Sequence, residues 1–387
     1  MRRDALKQLY ESHTADAGVS GVREAQKRFA TDLINRIPTI NVAELSLKQI
    51  FDITVMESHP DLDLHVSSTV PVSEAMGDSL FPKITKEVIN KEFMPAFESG
   101  VKDVMNLVSV MQTDETAFDF IAGTTAKSSM LKVEVGHNYP FGEFGEKSVR
   151  ISLGKWGQII PLELELVIQD KTGTLLQRAR DFAAELADVQ HRLIVETVVG
   201  VTRTIFKETT AGGYYYNGSV QTLYSANHAT VLNGYTNQNL SATTALSTDG
   251  LDVMFGLTAI MQDEEGKYVA TNPNLLLVHP RYEQKAWNLV NCATRPDSGN
   301  RADNFYSRFN YMSTPYLNTG GGNTTDYYLG NFPRQFVWMD VWKPRIDTQG
   351  SNSNAAFERD VVYQFKVSQS GGCAARDSRF VIKATAA

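Results

Sequence analysis

The clearest periodic signal lies in the middle of the chain. Leu175, Ala179, Phe182, Leu186, Val189 and Leu193 recur at steps of four and three, and no Gly or Pro interrupts the run before Gly200. This spacing predicts an amphipathic helix over about 174–199, with Thr172-Gly173-Thr174 supplying its cap. At about 1.5 Å per residue it would run roughly 40 Å, about twice the usual helix length. Ahead of it the period is two. Apolar and polar positions alternate between Phe118 and Gln169, as in Lys132-Val133-Glu134-Val135 and Leu162-Glu163-Leu164-Glu165-Leu166. That predicts a long hairpin. Its turn is Gly136-His137-Asn138-Tyr139-Pro140-Phe141-Gly142-Glu143-Phe144-Gly145, where glycines and a proline break both periods. The second limb, about Ser148 to Ile168, would be far longer than the ~5–6 residues of a typical strand.

Other segments are shorter or less regular. Ala5 and Leu9, then Val22, Ala25, Phe29, Leu33 and Ile37, fall at helical steps that Asp16–Gly21 breaks and Pro38 ends. Residues 58–84, punctuated by Pro60, Pro71, Gly77 and Pro82, read as an extended arm of short strands that needs a surface to lie on. From Thr209 to Thr248 there is no Asp, Glu, Lys or Arg. A disordered polar linker is one reading; Tyr214-Tyr215-Tyr216, Leu223, Tyr224, Val231 and Leu232 predict packed, irregular β structure instead. Asp249-Gly250-Leu251 then opens a helix, Asn274–Val278 is a short buried strand, and Arg281–Val290 is a helix again. Tyr327-Tyr328-Leu329 and Phe336-Val337-Trp338-Met339 are strands, so this region forms an α+β unit. The chain closes on a predicted hairpin. Val361, Tyr363, Phe365 and Val367 share a face, Ser370-Gly371-Gly372 turns, and Arg379–Lys383 returns.

Composition narrows the function classes. The chain has 387 residues, 42% hydrophobic and 21% charged, enough for a sizeable core. Its net charge is -7, from 44 acidic and 37 basic residues. A dedicated nucleic-acid binder carries a basic surplus, so any contact with DNA should be weak and nonspecific. No apolar stretch follows Met1–Lys7, so a secretory signal is not expected, and no uncharged apolar run approaches the ~18 residues of a membrane span. The two cysteines, Cys292 and Cys373, fit no zinc spacing and read as buried thiols.

Catalytic motifs are missing. There is no Gly-x-Ser-x-Gly and no His-Glu-x-x-His. Gly142-Glu143-Phe144-Gly145-Glu146-Lys147-Ser148 fails as a phosphate loop, because Glu146 puts a carboxylate where phosphate would sit. His59, Asp61, Asp63 and His65 alternate, which places all four on one strand face with donors suited to zinc or manganese. The same spacing also fits a polar edge strand with Leu62 and Leu64 behind it. His228 and His279 read as structural, and His191 as a surface position of the long helix. No catalytic residue, cofactor or metal ion is expected.

The arm, the long helix and the aromatic-tipped hairpin cannot all be buried within one chain of this size. Exposed apolar strands aggregate unless a partner covers them, which predicts covering by copies of the same chain. The hairpin tip is the expected intersubunit contact: His137, Tyr139, Phe141, Phe144 and Lys147. The order of elements resembles the major capsid proteins of tailed double-stranded DNA phages, the Hong Kong 97-type shell fold. Leu223-Tyr224-Ser225-Ala226-Asn227-His228, Ala242-Thr243-Thr244-Ala245-Leu246, Asn274–Pro280, and Phe357–Tyr363 with Ala375-Arg376-Asp377 are similar to the head subunit of Mu-like prophages. The resemblance covers roughly residues 95–387 and rests on the order of loose patterns.

It implies an α+β fold with an N-terminal arm over 1–90 and a first part of the peripheral domain over 91–119. An extended loop hairpin follows over 120–168, then the peripheral domain with its spine helix over 169–244 and an axial domain over 245–350. C-terminal strands over 351–387 return to the peripheral domain. It further implies pentamers and hexamers of an icosahedral shell in the virion, assembled in the host cytoplasm, with portal and scaffold or decoration proteins as partners. Lys132, Lys147 and Lys155 flank the loop, but no cross-linking acid or asparagine is identifiable. Only about 37 residues of helical character precede Pro38, so proteolytic maturation is not carried over. Two alternatives stay open: an encapsulin-type nanocompartment shell, and a metal-dependent hydrolase built on His59, Asp61, Asp63 and His65.

Overall fold

The computed structural model describes residues 81–114, 118–126, 133, 138, 144–163, 174–200, 213–216, 219–229, 236–263, 266–296, 303–349 and 361–385. The chain is mixed α+β and divides into two compact units. The first draws on the described residues of Met1–Val101, Lys155–Val189 and Trp342–Gln369. The second draws on those of Lys102–Gly154, Gln190–Val341 and Ser370–Ala387. The larger helices are α1 (Phe81–Val101), α2 (Thr174–Val199), α3 (Thr248–Ala259) and α4 (Glu283–Asn291), with a single turn α5 (Phe332–Gln335). The strands are β1 (Ser109–Gln112), β2 (Phe118–Ala126), β3 (Phe144–Ser152), β4 (Gly154–Glu163), β5 (Gly213–Tyr216), β6 (Ser219–Thr222), β7 (His228–Ala229) and β8 (Thr236–Asn237). They continue with β9 (Leu240–Ser241), β10 (Leu275–Val278), β11 (Asn310–Ser313), β12 (Asp326–Gly330), β13 (Phe336–Gln349), β14 (Val361–Ala375) and β15 (Val381–Thr385). A four-stranded sheet runs β1-β13-β14-β4 and a five-stranded sheet runs β11-β10-β12-β15-β9.

In the first unit, α1 corrects the expected extended arm over residues 81–84. Pro82 falls in the first turn, where a missing N–H costs nothing, so it starts a helix instead of interrupting a strand. Ile84, Val88, Ile89, Phe93, Phe97 and Val101 bury one face, and the Phe93 and Phe97 rings stack with centroids 6.3 Å apart. Helix α2 matches its sequence-derived bounds. Its buried stripe is Ala179, Ala183, Leu186 and Ala187, with Phe182 and Val189 only half-buried. The small side chains permit close approach: a Cβ on Gly100 of α1 would lie 2.7 Å from the Ala187 Cβ. Arg180 donates from Nε to Glu92 Oε2 at 2.6 Å, tying the two helices.

In the second unit, Gly200 ends α2 with φ +72°, donating its N–H to the carbonyls of Glu196 and Thr197. Ser247 caps α3 through its side chain, which accepts the Gly250 N–H. Helices α3 and α4 pack on the five-stranded sheet. Leu251, Met254, Leu276, Val278, Leu289, Tyr306, Tyr327, Leu329 and Ile382 form the core between them. The neutral segment after α2 includes two short hairpins, β5–β6 and β7–β8, and the edge strand β9. Its anchor is Asn239, 1% exposed. The Nδ2 of Asn239 donates to the carbonyls of Leu223 (2.7 Å) and Ser378 (2.8 Å), and its Oδ1 accepts the Ser225 N–H at 2.7 Å. Replacing it by Ala strands buried backbone groups, each costing about 1–3 kcal/mol. Asn239→Ala should therefore lower subunit stability by about 2 kcal/mol in urea unfolding; an unchanged midpoint would show that water replaces the amide.

The expected C-terminal hairpin is also corrected. β14 passes straight through Ser370-Gly371-Gly372, all buried, and β15 joins the other sheet between β12 and β9. The glycine is there for close packing: a Cβ on Gly371 would lie 2.7 Å from the Met339 carbonyl oxygen and 2.8 Å from the Trp338 indole. Of the two cysteines, Cys373 is fully buried and Cys292 half-buried, and both are free thiols. Burial pushes the Cys373 thiol up to about 12, partly offset by a hydrogen bond with Thr197.

Candidate functional site

Strands β2 and β3 form a two-stranded antiparallel ribbon, in register from Phe118 opposite Ser152 to Ala126 opposite Phe144. Nine paired positions at about 3.4 Å each extend roughly 30 Å. A two-stranded ribbon is marginal by itself in water, so its persistence depends on what holds its base and what covers its length. The base is well held. Ile151 is fully buried and Leu153 nearly so, and both pack with Val337, Met339 and Ala374 beside half-buried Val341.

The handover at Leu153 corrects the single long limb expected over Ser148–Ile168. β3 stops at Ser152, and β4 starts at Gly154 beside a different partner, β14. Ser370 Oγ donates to the Gly154 carbonyl at 2.9 Å, and a Cβ on Gly157 would lie 2.4 Å from the Val367 carbonyl oxygen. Leu153, drawn into the apolar cluster, separates the two pairings.

Of the expected tip residues, Phe144 closes the ladder opposite Ala126 and Lys147 lies opposite Gly123. His137, Tyr139 and Phe141 lie outside the described residues, as do His59, Asp61, Asp63 and His65. His191 is corrected from a surface position. It is half-buried, with Nε2 3.1 Å from Thr314 Oγ1 and its ring edge-on to Tyr316 at 5.1 Å. His279 is structural: its Nδ1 accepts the Arg281 N–H at 3.2 Å. Among the described residues no group of His, Cys, Asp and Glu is placed to hold a metal ion, and no helix is long and apolar enough to cross a membrane.

The second unit carries a further surface feature that periodicity did not reveal. Arg308 lies 4.0 Å over the Phe305 ring, 5.1 Å over Phe309 and 5.2 Å over Phe255. Phe305 is 46% exposed. Beneath it Tyr306 donates its hydroxyl to Asp252, which also lies 3.6 Å from Arg295. Burial, then the Asp252 carboxylate, pushes the Tyr306 phenol well above its ordinary range. An Arg plane on an exposed aromatic ring is a composition common in protein–protein contacts. It contains no activated nucleophile. The only sequence signal would have been the cluster Phe305-Tyr306-Ser307-Arg308-Phe309 itself.

A model of a family described as phage capsid protein matches residues 146–384. Among curated proteins, none matches the chain. Among solved structures, the chain is similar to the capsid of cyanophage P-SCSP1u at 11% identity, covering 73% of this chain and 88% of that one, with a TM-score of 0.48. It is similar to the capsid of the native GTA particle at 13% identity, covering 76% and 90%, with a TM-score of 0.47. The mature capsid of bacteriophage PhiM1 gives 7% identity, 73% and 86% coverage, and a TM-score of 0.46.

Proposed function

The chain belongs to the phage capsid protein family, and from that premise we propose that it is the major head subunit of a tailed double-stranded DNA phage. In this reading it has the Hong Kong 97-type fold and assembles as pentamers and hexamers into an icosahedral shell around the genome. Residues 1–90 are the N-terminal arm, 91–119 and 169–244 the peripheral domain, 120–168 the extended loop, 245–350 the axial domain and 351–387 the returning strands. The portal and scaffold or decoration proteins are its other partners. DNA is held by confinement, with weak nonspecific contact, as the net charge of -7 requires. The subunit assembles in the host cytoplasm and ends in the virion.

The observation that carries this reading is the family match over residues 146–384. The β2–β3 ribbon supports it, because a two-stranded ladder is marginal by itself in water and gains from a neighbour along its length. His137, Tyr139, Phe141, Phe144 and Lys147 make that contact on the next subunit. Aromatic rings on a glycine-rich tip are costly in water and dominate binding once desolvated. Purified protein should form rings, sheets or shells visible by negative-stain microscopy. Replacing Tyr139, Phe141 and Phe144 by Ser should leave the monomer's melting temperature unchanged and abolish those assemblies. Normal shells from the triple variant would remove the tip from the contact, and a clean monomer of the unaltered chain at high concentration, with scaffold present, would sink the shell reading.

A further inference from the structure

Strand β1 is one edge of the four-stranded sheet. On its inner side it pairs with β13, in parallel, from Ser109 beside Val337 to Gln112 beside Asp340. Thr113 continues the ladder by donating its N–H to the Asp340 carbonyl at 3.2 Å. Backbone groups turn to alternate sides along a strand, so Ser109, Met111 and Thr113 direct theirs toward β13. The N–H and C=O of Val110 and Gln112 therefore point away from it. Among the described residues no strand pairs with that outer side. The side chains are open as well. Val110 is 51% exposed and Met111 42%, and as neighbours along a strand they lie on opposite faces. The far edge of the sheet, β4, carries Lys155 and Pro161, residue types that keep an edge from pairing. None of Ser109, Val110, Met111 and Gln112 is charged or proline. An open edge of this composition is a template for another strand.

We propose that β1 pairs with β1 of a second copy of the chain, antiparallel, across a twofold axis at Met111; the contact rests on the shell reading and names one of its interfaces. About that axis Val110 faces the partner's Gln112, and Gln112 faces the partner's Val110. Residues so placed in an antiparallel ladder exchange both of their N–H···O bonds, so four bonds form. An axis centred on Val110 or on Gln112 would engage one of these residues from each copy and make two. Met111 then meets the partner's Met111 in a non-hydrogen-bonded pair, with Cα atoms about 4.5 Å apart and side chains in contact. Charge does not oppose the approach. No charged residue lies between Asp103 and Asp114. The antiparallel arrangement sets the two copies of Asp114 about 20 Å apart at ~3.4 Å per residue, beyond the ~8 Å screening length of physiological salt. The same patch serves both subunits, so the contact is isologous and closed. Four residues from each copy bury far less than the ~1,200 Å² of a stable pair. The contact therefore holds inside an assembly that other contacts support, and free subunits do not dimerise through it.

Cross-linking at the axis tests the register. The central pair falls within the Cα separation a disulfide spans, about 4.4–6.8 Å. Shells assembled from Met111→Cys and treated with a mild oxidant should give covalent dimers on a non-reducing gel, and unassembled Met111→Cys protein should not. The unaltered chain, whose own thiols are Cys292 and Cys373, should give none. Val110→Cys and Gln112→Cys should give none either, because each lies about 8 Å from its own copy across the axis. Should Met111→Cys fail to assemble, Val110→Cys combined with Gln112→Cys sets thiols opposite each other in the same register and serves instead. Val110→Pro removes a donor on the outer side alone, where an edge strand tolerates proline. It should leave the subunit's melting temperature unchanged and raise the concentration needed for shells about tenfold. No dimer from Met111→Cys shells, as much dimer from Val110→Cys, or equal dimer from unassembled protein would overturn the pairing. Loss of shells in Val110→Pro without the Met111→Cys dimer would give the edge to a different strand and overturn it too. Absence of shells from the unaltered chain would instead defeat the shell reading itself.

Discussion

Lys383→Met should destabilise the unassembled subunit by about 3–5 kcal/mol, because it leaves a carboxylate buried without its counter-charge. Lys383 Nζ lies 2.7 Å from Asp326 Oδ2, and the two side chains are only 15% and 4% exposed. Asp326 opens β12 and Lys383 sits on β15, the strand paired with it, so the ion pair fastens the two strands at the centre of the five-stranded sheet. The same oxygen accepts the Asn323 N–H at 3.2 Å, which fixes the turn into β12. The ammonium also lies 5.8 Å from the Tyr328 ring. Burial, then the Asp326 charge, raises the Tyr328 phenol pKa. Removing both charges is a different experiment: replacing a buried pair by neutral groups is often close to neutral in stability. Lys383→Met with Asp326→Asn should therefore recover most of the loss. Urea unfolding of the unassembled protein separates the two outcomes. A loss below about 1 kcal/mol for Lys383→Met, the size of an exposed pair, would mean that the pair is hydrated.

Ala183→Pro should cost about 3 kcal/mol or more, since proline in a helix interior removes one hydrogen bond and drives its ring into the preceding turn. Ala183 is fully buried near the middle of the 26-residue α2. No nearby terminus can absorb the break. The first part of the helix, through Val189, belongs to one unit and the part from Gln190 to the other, so fraying there should be felt in both. Far-UV circular dichroism and thermal melting of the unassembled protein would show it. An unchanged melting temperature would mean that α2 tolerates a kink, against its uninterrupted hydrogen-bonded run.

The reasons some elements were legible and others not are physical. α2 could be read to its ends because its apolar steps are regular and Gly200 supplies a stop that requires positive φ. α1 was hidden by its own prolines, although Ile84, Val88, Phe93, Phe97 and Val101 carry a helical stripe. Pro82 is harmless in the first turn, and local composition does not show where a turn begins. Ser370-Gly371-Gly372 has the composition of a turn and is strand, because what selects Gly371 is an indole from another part of the sequence. The same limit applies to the sites. Aromatic residues among glycines marked the ribbon tip as unusual, whereas its anchors, Ile151 and Leu153, sit where the period-two pattern runs on unchanged through a change of partner strand.

The contact between Gly371 and Trp338 constrains how relatives of this chain can diverge. The gap at position 371 admits no Cβ while a fully buried indole and the Met339 carbonyl occupy the space beside it. Neither position can change size alone without opening a cavity or forcing an overlap. In an alignment of relatives the two should drift as a pair: a side chain at 371 should accompany a smaller residue at 338, and tryptophan at 338 should accompany glycine at 371. Two positions 33 apart in sequence would thus behave as one inherited character.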